Sequence, residues 1–164
     1  MRLYHEVSTA MYETAIEHGL RCDVSGSKTD GIIERTDKLL DQARPARLAQ
    51  AGVSRSNNLY AYLGDDSAVI DIQNGRRVVL AEWHNSANSK LLRIEVEPSS
   101  CYVSDLDRYD AVKAQVAAGR TPDRELTLTY WKSVVPLAEF KPGSVKRPEV
   151  MVTRNITPEE ITPV

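Results

Sequence analysis

The chain has 164 residues, with 21 Lys and Arg against 23 Asp and Glu and a formal net charge of −2, a length that suits one domain, 1–164, whose core needs no metal or disulfide staple. The mildly acidic balance argues against broad electrostatic binding to nucleic acid. Two distant cysteines, Cys22 and Cys101, read as reduced thiols, and His5, His18 and His84 fit no zinc spacing, so no metal is expected.

In chain order, alternation predicts a strand over Arg2 to Val7, with Leu3, His5 and Val7 on one face and Arg2, Tyr4 and Glu6 on the other. Ser8 and Thr9 stand as helix caps before a helix to Glu17, closed by Gly19. Ser25 to Thr29 reads as a loop. Asp30 to Ala43 reads as a helix with Ile32, Ile33, Thr36 and Leu40 on one side, interrupted by Pro45 before a short turn over Ala46 to Gln50.

The period then changes. Leu59, Ala61 and Leu63 alternate with Tyr60 and Tyr62, and Ala68 to Ile72 and Arg77 to Ala81 flank Asn74-Gly75, a hairpin signal. Leu92, Ile94 and Val96 form a one-face-buried strand that stops at Pro98, and another strand covers Cys101 to Val103. Asp105 caps a helix over Leu106 to Ala118 with Leu106, Tyr109, Val112 and Val116 inward. Thr121-Pro122 starts a further helix that Pro136 ends. Glu149 to Val152 returns to strand, and Thr157 to Glu160 has capping-box spacing. Strands at both ends and in the middle, with helices inserted irregularly, predict an α+β fold. Neither a Gly-rich phosphate loop nor an apolar stretch of membrane-span or signal-core length is found, so a cytoplasmic location is expected.

Three segments carry side chains suited to chemistry. His5 lies on the apolar side of its strand and needs a hydrogen-bond partner; a backbone carbonyl is the simplest one, and the exposed amides of the following helix offer a place for an anion. Arg55 precedes the strand bearing Tyr60 and Tyr62, where an arginine can clamp a phosphate and a tyrosine face can stack on a heterocycle. Glu149 opens the strand Pro148-Glu149-Val150-Met151-Val152, pointing either into a cleft or to water.

Together these segments, followed by Ile156-Thr157-Pro158-Glu159-Glu160-Ile161, resemble the ADP-ribosyltransferase superfamily, and their order resembles its compact bacterial branches, including the DarT-like enzymes. The resemblance implies split β-sheets around a cleft with flanking helices, and NAD as co-substrate. It implies that Glu149 is catalytic, that Arg55 contacts the pyrophosphate or positions the nicotinamide half, and that His5, with Ser8 or Thr9, binds the cofactor. Tyr60 or Tyr62 would stack on nicotinamide.

Such an enzyme breaks the nicotinamide–ribose bond and transfers ADP-ribose to a protein, nucleic acid or small molecule. Arginine-specific toxins carry Gln or Glu two residues before the catalytic Glu, where this chain has Arg147, so the acceptor is left open. Arg44, Arg47 and Arg55 are the evident basic cluster around the expected cleft, equally suited to a DNA or RNA acceptor and to the solvated face of a helix. A neutralising partner, as toxin-like transferases often have, is also left open. The alternative is a non-catalytic module of the same fold that binds NAD or a protein.

Overall fold

A computed structural model describes residues 1–22, 31–83 and 88–164. Helices and antiparallel strands are mixed along the chain, giving an α+β fold. The predicted loop at Ser25 to Thr29 lies outside the described residues. The first strand, β1 (Arg2–Ser8), leads into a 3-10 turn (Thr9–Met11) and α1 (Tyr12–His18). Among the described residues two helices follow, α2 (Gly31–Gln42) and α3 (Ala46–Gln50).

The central strands are β2 (Leu59–Leu63), the hairpin β3 (Ala68–Asp71) and β4 (Arg76–Val79), and β5 (Ser89–Glu95). Between β4 and β5 lies a short helix, α4 (Leu80–Trp83), where alternation had extended the hairpin strand to Ala81. Leu80 and Trp83 pack together with Tyr62 and Leu91, and a helical turn brings residues three apart to one side. Next come β6 (Cys101–Asp105), α5 (Leu106–Ala117) and α6 (Arg124–Ser133), the last capped at Asp123 and so beginning after Thr121-Pro122. The chain closes with β7 (Val135–Pro136), β8 (Pro148–Val152) and β9 (Ile161–Pro163). β7 and β9 are too short for any periodic signal.

Seven strands form one sheet in the order β7-β6-β8-β2-β1-β5-β9. The pairing at its middle is short: β1 and β2 share only the register pairs Leu3↔Leu63 and Tyr4↔Tyr62. Beyond Tyr4, β1 continues along β5 to Ser8↔Ser89, while the start of β2, Leu59 to Ala61, pairs with β8. The sheet therefore has two halves that separate next to His5.

Period-two alternation sorts the core. Leu3, Val7, Leu59, Ala61, Leu92, Ile94, Val150 and Val152 form one cluster, with Ala15 of α1 packed on it. On the opposite face, Met151 packs with Leu40 of α2, Leu48 of α3, Tyr109 and Val112 of α5, and Tyr130 and Trp131 of α6. The Trp131 indole donates to the Leu40 carbonyl at 2.8 Å, fixing α6 against α2. A third cluster, under the hairpin and α4, contains Tyr4, Tyr62, Val69 and Leu91.

Gly19 ends α1 with φ +80°, and a Cβ there would lie 2.2 Å from the Ile156 carbonyl oxygen. The chain needs this close approach because Leu20 and Ile156 exchange backbone hydrogen bonds, each 2.8 Å. Gly19→Ala is expected to lower stability by more than about 1 kcal/mol, since it combines backbone strain with a clash. Denaturant unfolding checks this, and an unchanged midpoint would contradict it.

The C-terminal capping box is present. The Thr157 amide donates to Glu160 Oε2 at 3.0 Å, and Arg154 donates to both Glu160 oxygens at 2.8 and 2.6 Å. These bonds from Arg154, with the Thr157 amide beside them, hold the Glu160 carboxyl down at about 2. Among the described residues, no helix is long and apolar enough to cross a membrane.

Candidate functional site

Arg55 enters the interior from a loop that is itself tied down. Asp41 of α2 accepts the Arg55 amide at 2.7 Å through one oxygen, and through the other the Ser54 hydroxyl at 2.8 Å and the Ser56 amide at 3.0 Å. Asn58 completes the turn, accepting the Ser54 amide at 2.6 Å and donating to the Gly52 carbonyl at 3.2 Å. Such Asx geometry gives a short loop one conformation. The guanidinium therefore starts from a fixed base.

From there it reaches two acids. Arg55 Nε donates to Asp37 Oδ1 at 3.3 Å, and Nη1 donates to Glu149 Oε2 and to the Tyr130 hydroxyl, the latter at 3.3 Å. The exposures are 3% for Arg55, 1% for Asp37 and 6% for Glu149. Three tyrosines surround the cation, with ring centroids 4.1 Å (Tyr109), 4.5 Å (Tyr60) and 5.8 Å (Tyr130) from the guanidinium carbon. Desolvated cation–π contacts are worth about 2 kcal/mol, and arginine is the cation best suited to them.

The electrostatics follow from this crowding. Burial alone would lower Arg55, but Glu149, Tyr130, Tyr60 and Asp37 outweigh it and raise it well above its ordinary value. Burial pushes the Tyr60 hydroxyl well up, and Tyr130 up to about 12, with Arg55 pulling both the other way. All three tyrosines are thus neutral hydrogen-bonding groups at ordinary pH. The Tyr60 hydroxyl donates to the Arg55 carbonyl, and the Ser104 hydroxyl on β6 lies 3.5 Å from Glu149 Oε2.

The sequence-predicted residues divide into three groups. Arg55, Tyr60 and Glu149 meet. Tyr62 shares their face of β2 but belongs to the third cluster, where its hydroxyl donates to Glu6 Oε2 at 2.7 Å and its ring meets Trp83 edge-on at 5.0 Å. Ser8 and Thr9 are exposed at the end of β1. Ser8 precedes the 3-10 turn but its side chain makes no capping bond, and α1 begins only at Tyr12. The expected helix N-terminus beside His5 is therefore displaced, because the chain leaves β1 through a 3-10 turn.

His5 occupies an intermediate position. Alternation gives it the side of Leu3 and Val7, whereas Glu149 shares the side of Met151, so the two side chains leave the sheet on opposite faces. One residue connects them: the Tyr60 carbonyl oxygen lies 2.6 Å from His5 Nδ1, and the Tyr60 ring lies over Arg55. A carbonyl only accepts, so Nδ1 carries the proton. The neutral ring then presents Nε2 as an acceptor.

Burial lowers the His5 imidazole, opposed by the bond to the Tyr60 carbonyl. The unfolded chain therefore binds more protons than the folded one between the folded value and about 6.5, and stability falls as pH drops through that window. His5→Gln is expected to remove this part of the pH dependence. Denaturant unfolding at pH 5, 6 and 7 tests it, and a wild-type slope in the variant would refute it.

The predicted basic cluster does not form a surface. Arg55 is inside, Arg44 donates to the Val53 carbonyl and sits 4.0 Å from Asp41, and Arg47 is exposed. Arg147 is tied to Asp107, Asp110 and the Ile72 carbonyl. No disulfide joins Cys22 and Cys101, and among the described residues no group of three or more His, Cys, Asp or Glu side chains could hold a metal ion.

Asp37, Ser104, Tyr109 and Tyr130 belong to the site but were not singled out for chemistry. Asp37 had a readable signal: it falls four residues after Ile33 and three before Leu40, an acid on the apolar stripe of its helix. Tyr109 was visible as a core position, and its role beside a cation depends on the tertiary arrangement. No family model matches the chain, and no match is found among curated proteins or solved structures.

Proposed function

We propose that this protein is an NAD-dependent ADP-ribosyltransferase that cleaves the nicotinamide–ribose bond and transfers ADP-ribose to an acceptor. The observation that carries the reading is the convergence of Glu149, Arg55 and Tyr60 on one face of a sheet whose halves part beside His5. The two-part sheet with helices on its faces fits the split-sheet fold of that superfamily. The acceptor is a protein, a nucleic acid or a small molecule.

Cleavage develops positive charge on the ribose. A carboxylate that binds the 2′-hydroxyl interacts more strongly as that charge grows, so it stabilises the transition state more than the ground state. Glu149 supplies this carboxylate and can also take a proton from the nucleophile. Arg55, held inside by Asp37 and Tyr130, is better suited to positioning the nicotinamide half than to the pyrophosphate, Tyr60 offers its ring to a heterocycle, and His5 offers Nε2 to a ribose hydroxyl from the edge of the division.

Nicotinamide release from NAD by the purified protein, with protein, DNA, RNA and small-molecule acceptors supplied in turn, is the test. Release above background supports the reading, and background release with every acceptor opposes it. The burial of Glu149 in an ion pair favours a second reading, a non-catalytic module that keeps the pair for stability. That reading predicts, by calorimetry, either no NAD binding or binding without turnover.

A further inference from the structure

We infer that Asp37 is a positioning residue for Glu149: it holds Arg55 by a separate edge, so that Glu149 can leave the ion pair for a ribose hydroxyl without stranding a buried cation. This rests on the transferase reading above. The problem it addresses is physical. Glu149 and Arg55 are both buried and paired, and a carboxylate engaged with a guanidinium has to let go of it, wholly or in part, to bind a substrate hydroxyl.

Breaking a buried ion pair normally leaves an uncompensated charge, which is a large barrier in a low-dielectric interior. The cluster avoids that outcome because, among the described residues, two acids face the one guanidinium. Asp37 contacts the Nε edge at 3.3 Å while Glu149 takes Nη1. The two acids therefore do not compete for one nitrogen. When Glu149 turns toward a ligand, Arg55 keeps the Asp37 carboxylate on Nε, the Tyr130 hydroxyl on Nη1, and the faces of Tyr60 and Tyr109.

Asp37 is also placed to stay. It lies within the described helix α2, its neighbours Thr36 and Leu40 are buried, and the carbonyl of Leu40 is bonded to Trp131. Glu149 opens a strand, with Ser104 3.5 Å away as its other polar neighbour. A further group lies in the cluster: the Tyr109 hydroxyl is buried beside Asp37 and Arg55. It is a donor or acceptor that a rearranged cluster can use.

The experiment uses the full chain and the nicotinamide-release assay. Asp37→Asn keeps shape and removes charge, so Arg55 is left with Glu149 as its single counter-ion and holds it. The expected result is a fall in kcat of about 10-fold to 100-fold, the scale of a misplaced catalytic group, with KM for NAD within about twofold, and recovery of more than half the lost kcat in Asp37→Glu. A merely structural Asp37 would lower active protein, seen as loss of folded fraction by circular dichroism, without a kcat deficit per folded molecule.

Wild-type kcat in folded Asp37→Asn, or a deficit that follows the folded fraction, overturns the inference. Should Asp37→Asn not fold, Asp37→Ser is measured in the same way with the same expected split. The two levels separate cleanly: no release by the wild type removes the transferase reading and this inference together, whereas release by the wild type with an unaffected Asp37 variant removes only the inference.

Discussion

Glu149→Gln should lower nicotinamide release by about 100-fold to 10,000-fold, the usual range for loss of a positioned acid or base or of a charge that stabilises a transition state. Glutamine keeps the shape and one carbonyl acceptor, so it still meets Arg55 and Ser104 but cannot answer the growing charge on the ribose. The fold is expected to survive, since Asp37 remains as counter-ion to Arg55. Turnover is therefore measured beside a thermal melt. Release at the wild-type rate in a folded variant would remove Glu149 from the chemistry, and equal NAD affinity with lost turnover would place its contribution in the transition state.

Arg55→Ala has the largest expected effect on stability. It takes the guanidinium away from buried Asp37 and Glu149 and opens a void between Tyr60 and Tyr109, at a cost of about 3–5 kcal/mol for the broken pair alone. Urea unfolding of both proteins at pH 7 reads out the deficit. A deficit below about 1 kcal/mol would mean that the cluster is not the buried ion triad described above.

What was legible in the sequence follows from the range of the physics involved. β1, β2, β5, β6 and β8 showed themselves through local apolar patterning, and α5 through an Asp105 cap whose side chain does accept the Asp107 amide at 3.0 Å. β7 and β9 exist because longer strands offer them an edge, through Tyr102↔Pro136 and Ile94↔Ile161. A partner far along the chain leaves no periodic trace. The same distinction applies to the site.

Arg55 and Glu149 could be nominated by residue type beside a strand. Their pairing could not, because it is set by how the α3 to β2 loop and the first residues of β8 meet across the sheet. His5 was correctly an inward imidazole with a backbone carbonyl as its partner, but which carbonyl depended on where β1 and β2 part. The helix expected at Ser8 and Thr9 failed for a local reason: Ser, Thr and Ala open a 3-10 turn as readily as an α-helical one, and the choice falls to packing.

The order of the strands also governs how this protein comes to exist in active form. Leu3 finds its sheet partners at Leu63 and Ile94, and Arg55 finds Glu149 at a separation of 94 positions along the chain. Contacts of that separation form only after large loops have closed, which places the protein among the slower-folding topologies. No isolated hairpin or helix pair holds both members of the buried cluster. The ion pair is thus a signature of the completed fold, and a partly folded chain has an arginine and a glutamate but no site.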